Sequence, residues 1–285
     1  MARSGSAIVA VIAPGNMGAA VGRRLVEHGL EVRTLLAGRS AATVARAEAA
    51  GLVGVAPADL AEAGFILSIV PPAEALALAE TLVPVLGAAA RKPVYVDCNA
   101  VNPETVARIA AVIAPTGCRF VDAGIIGLPP QPGKQGTVFY ASGPDAAAFA
   151  ALAEYGLAIN VVDGPIGAAS ALKMCYAGIT KGLTALGTAM ILAATKSGAA
   201  EALAAELAAS QPMLRQFLER AVPGMFPKAY RWIAEMEEIA AFADDPATEA
   251  IYRGIADLYR RIAADVAGPN QDTAALAGFF DEASR

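Results

Sequence analysis

Ala7-Ile-Val-Ala-Val-Ile-Ala-Pro-Gly-Asn-Met-Gly18 is the stretch from which the architecture of this chain can be predicted. Ala7–Ala13 is apolar and rich in β-branched side chains, which is typical of a strand buried on both faces. Pro14 and Gly15 interrupt the run, and apolar residues then recur at helical spacing from Met17 to His28. A strand, a glycine turn and a helix in this order form the arrangement in which amides at a helix start bind a pyrophosphate.

The residue types within this turn have separate physical roles. We expect Gly15 to let the backbone approach the phosphate oxygens, and Gly18 to let the helix pack closely on the strand. The cofactor-binding residues predicted in the turn are Pro14, Gly15, Asn16, Met17 and Gly18. Because Ala13 stands where the usual G-x-G-x-x-G pattern begins, a tight turn in any other α/β protein is the alternative interpretation.

The loop after the second predicted strand, Glu31–Leu36, bears on the choice of cofactor. An NAD-binding turn is usually followed, about 20 residues later, by an acidic residue that binds the ribose hydroxyls. This loop has Arg39 and Ser40 and no acidic residue. An arginine can pair with a 2′-phosphate through charge-assisted hydrogen bonds. The sequence therefore predicts NADP rather than NAD, with a solvated surface arginine as the alternative.

Two further apolar strands, Phe65–Val70 and Val94–Asp97, place more candidates at the predicted ligand crevice. The carboxyl ends of parallel strands form the crevice of such sheets. Val70, Pro71 and Asn99 are therefore predicted to contact the cofactor, although ordinary loop chemistry is an equal alternative for each.

The last part of the sheet region and the second half of the chain differ in pattern. A strand is predicted at Arg119–Asp122, followed by a long loop rich in glycine and proline. Beyond Gly164-Pro165 only helical patterns occur, beginning with one long helix over Ile166–Ser197. Gly178 and Gly182 share a face of this helix and are expected to let another helix approach closely.

The fold class predicted is α/β. Residues 1–163 are expected to form an NADP-binding Rossmann domain with a doubly wound sheet. Residues 164–285 are expected to form an all-α domain for substrate binding and dimerisation, joined to the first by the long helix.

Composition argues against several classes of function. The formal net charge is −5 without a basic cluster, which argues against nucleic-acid binding. Three cysteines and one histidine, without a C-x-x-C pair, argue against a metal site, and such sparse cysteines fit the cytoplasm. The first apolar run ends in the glycine turn, so no signal peptide is expected. Lys181 and Thr184 interrupt the apolar stretch Ala177–Ala194, so no membrane span is expected.

Four segments, in this order, resemble the β-hydroxyacid dehydrogenase family, which includes 3-hydroxyisobutyrate dehydrogenases and is related to 6-phosphogluconate dehydrogenases and imine reductases. Ala13–Gly18 is similar to the family's G-L-G-x-M-G turn, and Gly38-Arg39-Ser40 to its N-R-S loop. Asp122–Gly127 lines up with its substrate loop D-A-P-V-S-G. Gly164–Lys173 matches its catalytic helix motif as far as the lysine.

The resemblance implies hydride transfer between NADP and a small hydroxyacid or alcohol, with Lys173 as general acid/base on the substrate oxygen or nitrogen. A lysine acts as a base near neutral pH only if desolvation lowers its pKa from about 10.4. The implied substrate contacts are Gly124, Ile125 and Ile126, with Tyr176 one turn beyond the lysine. A helix-surface lysine and a core or interface tyrosine are the alternatives. A homodimer built on the helical domain is implied as well.

The sequence also departs from the family pattern. Ile126 replaces the serine of the substrate loop, Tyr176-Ala177 replace the paired asparagines after the lysine, and Asn99-Ala100 replace a serine and a threonine. The family's later K-D pair has no clear counterpart, and the acidic segment Trp232–Glu238 lies near its place. A solvated helix face is the alternative interpretation of these glutamates. We therefore expect a substrate that is bulkier or less anionic than a simple 3-hydroxyacid, or one that bears an amine.

Two other functions are compatible with parts of this pattern. Imine reductases usually replace the family lysine with aspartate or tyrosine, which Lys173 does not match. A nucleotide-binding sensor without turnover would explain the missing serine and asparagines, but it would not require Lys173 or Arg39.

Overall fold

A computed structural model describes residues 7–131 and 136–282 of the 285-residue chain. The chain divides into two compact units, Met1–Lys173 and Met174–Arg285. The domain boundary predicted at residues 163 and 164 stays a prediction.

Eight strands of the first unit form one sheet. They are β1 Ile8–Ile12, β2 Glu31–Thr34, β3 Val53–Gly54, β4 Phe65–Ser68, β5 Val94–Asp97, β6 Arg119–Ile126, β7 Val138–Ser142 and β8 Ala158–Val161. Their order is β3-β2-β1-β4-β5-β6-β7-β8. Neighbouring strands are parallel except β6 and β7, which are antiparallel. The predicted α/β fold with a Rossmann-type sheet is confirmed.

Helices surround this sheet and make up the second unit. The helices of the first unit are α1 Asn16–Glu27, α2 Ala41–Ala49, α3 Ala75–Ala88, α4 Pro103–Ile113 and α5 Ala146–Ala150. The long helix α6, Ala168–Lys196, begins in the first unit and continues into the second. The second unit continues with α7 Ala200–Ser210, α8 Pro212–Met225, α9 Ala229–Phe242, α10 Pro246–Val266 and α11 Gln271–Glu282. Between residues 174 and 282 the structure contains no strand, as predicted.

Strand β1 shows why the sheet has helices on both faces. Val9 and Val11 belong to a buried core that includes residues of α1, whereas Ala10 and Ile12 belong to a second core that includes residues of α3 and α4. Successive side chains of a strand point to opposite faces. An uninterrupted apolar strand is therefore what a layer between two helix layers requires.

Strand β6 is longer than the sequence predicts. The expected strand ends at Asp122 and is followed by a loop, but β6 continues to Ile126. Antiparallel pairing with β7 explains the difference, since Gly124 lies opposite Tyr140 in this ladder. Gly124, Ile125 and Ile126, predicted in a loop, are thus strand residues. Residues 132 and 133, at the end of the predicted loop Ala123–Gly133, lie outside the described residues.

Gly178 of α6 allows α10 to approach closely, as predicted, whereas Gly182 faces α10 at an ordinary contact distance. A Cβ atom built on Gly178 would lie 2.7 Å from the Tyr252 hydroxyl oxygen, and one built on Gly182 would lie 3.8 Å from Ile255 Cδ1. Within the described part of the chain, α6 is also the one helix with the length and composition of a membrane span, and 39% of its most apolar window is buried. Core helices of soluble proteins have the same properties.

Candidate active site

The glycine turn leaves the start of α1 open. Gly15 precedes the helix with φ −66° and ψ −171°, and no side chain of the described residues caps the helix there. A Cβ atom built on Gly15 would meet no other atom within 4 Å. The helix start is therefore uncapped, with room beside Gly15, and this arrangement fits the pyrophosphate of a dinucleotide.

Gly18 sets the distance between α1 and β1. A Cβ atom built on Gly18 would lie 2.0 Å from the carbonyl oxygen of Ala13 and 3.4 Å from Val11 Cγ1. Real Cβ atoms do not approach a carbonyl oxygen so closely, so only glycine is compatible with this packing. The close helix–strand contact predicted for Gly18 is confirmed.

The other residues of the turn have different surroundings. Asn16 is exposed, and Met17 packs against the core that α1 shares with the sheet. Pro14 is buried, and its carbonyl oxygen accepts a hydrogen bond from Arg46 of α2 at 3.4 Å. Arg46, which sequence reasoning missed, thus connects α2 to the turn.

The loop between β2 and α2 presents one cation. Ser40 caps α2, since its hydroxyl oxygen accepts from the Thr43 amide at 3.3 Å. Arg39 is exposed, and its guanidinium has no hydrogen-bond or ion-pair partner in the ranges 7–131 and 136–282. Its side chain is therefore available to an anionic ligand.

Asn99 connects the loops that follow β4 and β5. Its side-chain oxygen accepts from the Val70 amide at 2.7 Å. Its side-chain nitrogen donates to Ser68 Oγ at 2.8 Å and to Asp97 Oδ2 at 3.0 Å. Asn99 is 3% exposed. Its buried side-chain amide thus fixes the loop of Val70 and Pro71 through the hydrogen bond from the Val70 amide.

The groups beneath these loops favour their neutral forms. The pKa of Asp97 is raised to about 7, chiefly by burial and in smaller part by the charge of nearby Asp122, while the hydrogen bonds from Asn99 oppose the change. Burial, followed by the charge of Asp97, also raises the pKa of Tyr95 and of Cys98. The carboxyl ends of β4 and β5 therefore contain buried polar groups, Tyr95, Asp97 and Cys98, whose neutral forms are favoured by burial.

Lys173 is held at the same edge of the sheet. The last residue of β5, Asp97, pairs with Asp122 of β6, so Gly124 and Ile125 lie beyond the carboxyl end of β5. Lys173 Nζ donates a hydrogen bond to the Ile125 carbonyl oxygen at 2.7 Å. The Lys173 side chain is half-buried.

Gly124 lets α6 lie directly on β6. A Cβ atom built on Gly124 would lie 2.9 Å from the Ala169 carbonyl oxygen and 3.0 Å from Lys173 Cβ. Ile126 is half-buried one residue beyond Ile125. The structure thus brings Gly124 and Ile125 to Lys173.

Asp122 is a residue that sequence reasoning did not single out. Its carboxylate is fully buried and accepts hydrogen bonds from Ser142 Oγ, from Ser170 Oγ and from three amides at the start of α6. The sequence signal was an aspartate inside an apolar strand, because a buried carboxylate needs donors.

Tyr176 lies in the second unit, where its side chain on α6 is 49% exposed. Its contact with substrate stays a prediction.

The acidic segment of α9 is paired with cations of the second unit. Glu235 forms an ion pair with Lys181, and the two side chains are 18% and 14% exposed. Lys181 Nζ also lies 5.0 Å from the centre of a Trp232 ring. Glu237 pairs with Arg260 at 2.9 Å on the surface. The interpretation as a solvated helix face is therefore wrong for Glu235.

The open start of α1, at the carboxyl end of a parallel sheet, defines a dinucleotide-binding protein of the Rossmann class. Residues 8–156 match the family of the NAD binding domain of 6-phosphogluconate dehydrogenase, and residues 194–262 match a domain of unknown function (DUF1932). The chain belongs to the first of these families. Membership of this family makes the chain an NAD(P)-dependent oxidoreductase.

Solved structures similar to this chain agree with that class. The conserved protein MTH1747, of unknown function and with structural similarity to 3-hydroxyacid dehydrogenases, is 30% identical over 91% of this chain and 99% of its own, with a TM-score of 0.70. Mycobacterium tuberculosis 3-hydroxyisobutyrate dehydrogenase with L-serine is 19% identical over 92% and 95%, with a TM-score of 0.69.

The imine reductase from Myxococcus stipitatus in complex with NADP+ is 18% identical over 96% of this chain and 99% of its own, with a TM-score of 0.55. A variant of it in complex with NAD+ is 17% identical over 97% and 99%, with a TM-score of 0.59. The likeness to the mycobacterial and myxococcal enzymes shows a shared fold. A comparison with curated proteins gives no match.

Proposed function

We propose that this protein transfers hydride between NADP and a small alcohol- or hydroxyacid-type substrate, with Lys173 as the general acid/base. The observation that carries this proposal is the placement of the Lys173 ammonium on the Ile125 carbonyl, at the sheet edge where β1 leads into the open start of α1. Catalytic groups and cofactor share this edge in doubly wound sheets.

The residues that would hold the cofactor lie in the first unit. The amides at the start of α1 would bind its pyrophosphate, and Arg39 would pair with its 2′-phosphate. When bound, the nicotinamide supplies or accepts the hydride. The loop held by Asn99 would line the crevice through Val70 and Pro71.

The proton of the reaction would be held on Lys173 Nζ. An ammonium can donate a proton to a forming alkoxide, and the free amine can accept one from an alcohol. The Ile125 carbonyl oxygen would keep the nitrogen in place while its proton is exchanged.

The substrate we propose is bulkier or less anionic than a simple 3-hydroxyacid, or bears an amine. Ile126 supports this, because an apolar side chain at the strand end cannot donate the hydrogen bond that a serine gives a carboxylate. Turnover of 3-hydroxyisobutyrate at a rate equal to that of the best substrate would contradict this proposal.

The test measures turnover with NADP and a panel of alcohols, hydroxyacids and imines. Turnover is monitored by the absorbance of the reduced cofactor. We expect Lys173→Ala to lower kcat by roughly 10²–10⁴-fold while NADP binding is kept, because general acid–base catalysis has that magnitude. Lys173→Arg, which keeps the charge, should not restore turnover. Unchanged turnover in Lys173→Ala would refute the proposed mechanism, and cofactor binding without turnover in the wild type would favour a sensor.

The preference for NADP is tested at Arg39. We expect Arg39→Ala to lower the ratio of NADP to NAD affinity by about 10–100-fold, the loss of one or two hydrogen bonds to a charged group. Arg91→Ala, another exposed arginine of the first unit, is the control. A ratio that does not change in Arg39→Ala would remove the argument for NADP.

We propose further that the protein is a cytoplasmic homodimer built on α6. Five exposed apolar side chains form a stripe along this helix within the second unit: Tyr176, Ile179, Leu183, Leu186 and Met190. Their spacing alternates between three and four residues, as in a coiled-coil seam. Such a stripe is complementary to the same stripe on a second copy related by a two-fold axis.

A further inference from the structure

We propose that Asp122 is a positioning residue. Its buried carboxylate holds the first turn of α6 against β6 and thereby sets where the Lys173 ammonium lies. This inference rests on the acid/base role proposed above for Lys173.

The carboxylate of Asp122 takes the place of a helix cap. Oδ2 accepts hydrogen bonds from the amides of Gly167 at 2.9 Å, Ala169 at 3.1 Å and Ser170 at 3.1 Å. It also accepts from Ser142 Oγ at 2.9 Å, and Oδ1 accepts from Ser170 Oγ at 2.6 Å. An ordinary N-cap precedes its helix directly. This one lies 45 residues before Gly167, so it joins two separate elements.

The surroundings of Asp122 make this cap rigid. Asp122 and Ser142 are 0% exposed and Ser170 is 1% exposed. A buried carboxylate is stable only where donors surround it, and the positive end of a helix dipole adds to the attraction. Moving the helix start would therefore break several charge-assisted hydrogen bonds together.

Two further contacts link the position of the first turn of α6 to that of Lys173. Gly124 presents a surface without a side chain to Ala169 and Lys173, and Ile125 accepts the hydrogen bond from Lys173 Nζ. Ala169 and Lys173 are neighbours one turn apart on α6. A shift or rotation of the first turn would hence move the lysine relative to β6.

Two substitutions separate the charge of the cap from its shape. Asp122→Asn removes the charge, whereas its amide oxygen can still face the donors at Oδ2 and its nitrogen can donate to Ser170 Oγ. Ser170→Ala is milder, because it removes one hydrogen bond and leaves the carboxylate in place. Ser170→Ala answers the question if Asp122→Asn does not fold.

The chain offers a matched control in Asp265. This carboxylate is 8% exposed and accepts hydrogen bonds from the amides of Gln271, Asp272 and Thr273 and from Thr273 Oγ1, so it holds the start of α11 in the second unit. Asp265→Asn removes the same charge from the same kind of cap.

The experiment measures the reactivity of the Lys173 amine in cofactor-free protein. Trace labelling with an acylating reagent at several pH values, read by mass spectrometry, gives the rate for each lysine. Lys92 is the internal reference, since its Nζ also donates to backbone carbonyls, at 2.8 and 3.0 Å. We expect Asp122→Asn to change the Lys173 rate by at least about threefold and Ser170→Ala to change it less. Lys92 should stay unchanged, and Asp265→Asn should alter neither rate.

A Lys173 rate in folded Asp122→Asn equal to that of the wild type would overturn the inference. If that variant does not fold, an unchanged rate in Ser170→Ala would do so. Labelling also separates this inference from the proposed function. If the rate changes but Lys173→Ala keeps full turnover, Asp122 positions the lysine and the proposed mechanism is wrong. With an unchanged rate and an inactive Lys173→Ala, the mechanism stands and the positioning role falls.

Kinetics supply a second readout. We expect Asp122→Asn to lower kcat by about tenfold or more and to change the pH dependence of kcat, with the KM for NADP unchanged, because the glycine turn is not altered. Asp265→Asn should keep the wild-type profile. Because the Asp122 charge also acts on the pKa of Asp97, the readout specific to Lys173 is the lower kcat at unchanged KM together with the changed labelling rate.

Discussion

Gly15 and Gly18 stand in one turn, yet a methyl group has opposite consequences at the two positions. At Gly18 it would lie 2.0 Å from the Ala13 carbonyl oxygen, so α1 would have to move away from β1. At Gly15 it would meet no atom within 4 Å. Gly18 is therefore required by the packing of the protein itself, whereas Gly15 leaves space that a ligand can occupy.

We expect Gly18→Ala to lower the free energy of unfolding by about 1–3 kcal/mol, the range for overpacking. Gly15→Ala should lower it by less than about 1 kcal/mol, since only a glycine cap is exchanged, but should weaken NADP binding by about tenfold. Urea unfolding and titration of cofactor fluorescence measure the two effects. Two variants of equal stability would contradict the packing argument.

Asp97 gives the fold a pH dependence with a definite sign. Burial raises its pKa to about 7 in the folded protein, against about 3.9 for an aspartate in an unfolded chain. Between these values the folded state keeps a proton that the unfolded state has lost. The free energy of unfolding therefore falls as the pH rises from about 4 to about 7, and this contribution is constant above that range.

Asp97→Asn should remove this slope, because an amide does not ionise. The measurement is urea unfolding of both proteins at about pH 4.5 and about pH 7.5, on either side of most of the titration. The wild type should lose more stability between the two pH values than the variant does. The exposed Asp163→Asn is the control and should keep the wild-type slope. A slope that persists in Asp97→Asn would mean that another group causes it.

Among the elements, local patterns predict those whose contacts are near in sequence. The helix predicted over Ile166–Ser197 is α6, Ala168–Lys196, because its residues bond within the helix. Strand β6 was predicted to end early, since its last residues are strand only through pairing with β7, which comes later in the sequence. Asp122 was missed for the same reason: its amide donors lie at least 45 residues further on.

Two glycines of α6 test how closely α10 packs on it. A Cβ atom on Gly182 would have its nearest neighbours at 3.8 Å or more, an ordinary contact, whereas one on Gly178 would lie 2.7 Å from Tyr252 Oη. Gly182→Ala should raise the free energy of unfolding by about 0.5–1 kcal/mol, because alanine favours the helix. Gly178→Ala should raise the free energy of unfolding by less, or lower it, because the Tyr252 side chain must move. Urea unfolding of the two variants measures this difference. An equal rise in the free energy of unfolding of both would contradict the closer packing at Gly178.

For the whole molecule, the sheet and its glycine turn could be predicted from sequence, as could the all-helical second half. The exposed stripe of α6, Tyr176–Met190, could not, because exposure depends on which face of the helix the rest of the unit covers. Gly178 and Gly182 face α10, and the described part of the second unit leaves the stripe on another face exposed. A helix that is apolar on several faces is usually buried all round.

The homodimer proposal predicts that light scattering gives twice the monomer mass of 28.9 kDa. Replacing Ile179 and Leu186, 70% and 59% exposed, by glutamate should weaken association by at least about 100-fold, since each interface would bury four charges without partners. Met213→Glu is the matched control, because Met213 is 84% exposed on α8, outside the stripe. A wild type that stays monomeric, or one that sediments with lipid vesicles through this stripe, would overturn the dimer. If the variant with glutamate at Ile179 and Leu186 dissociates and keeps its helical content, the stripe forms the interface between the two copies.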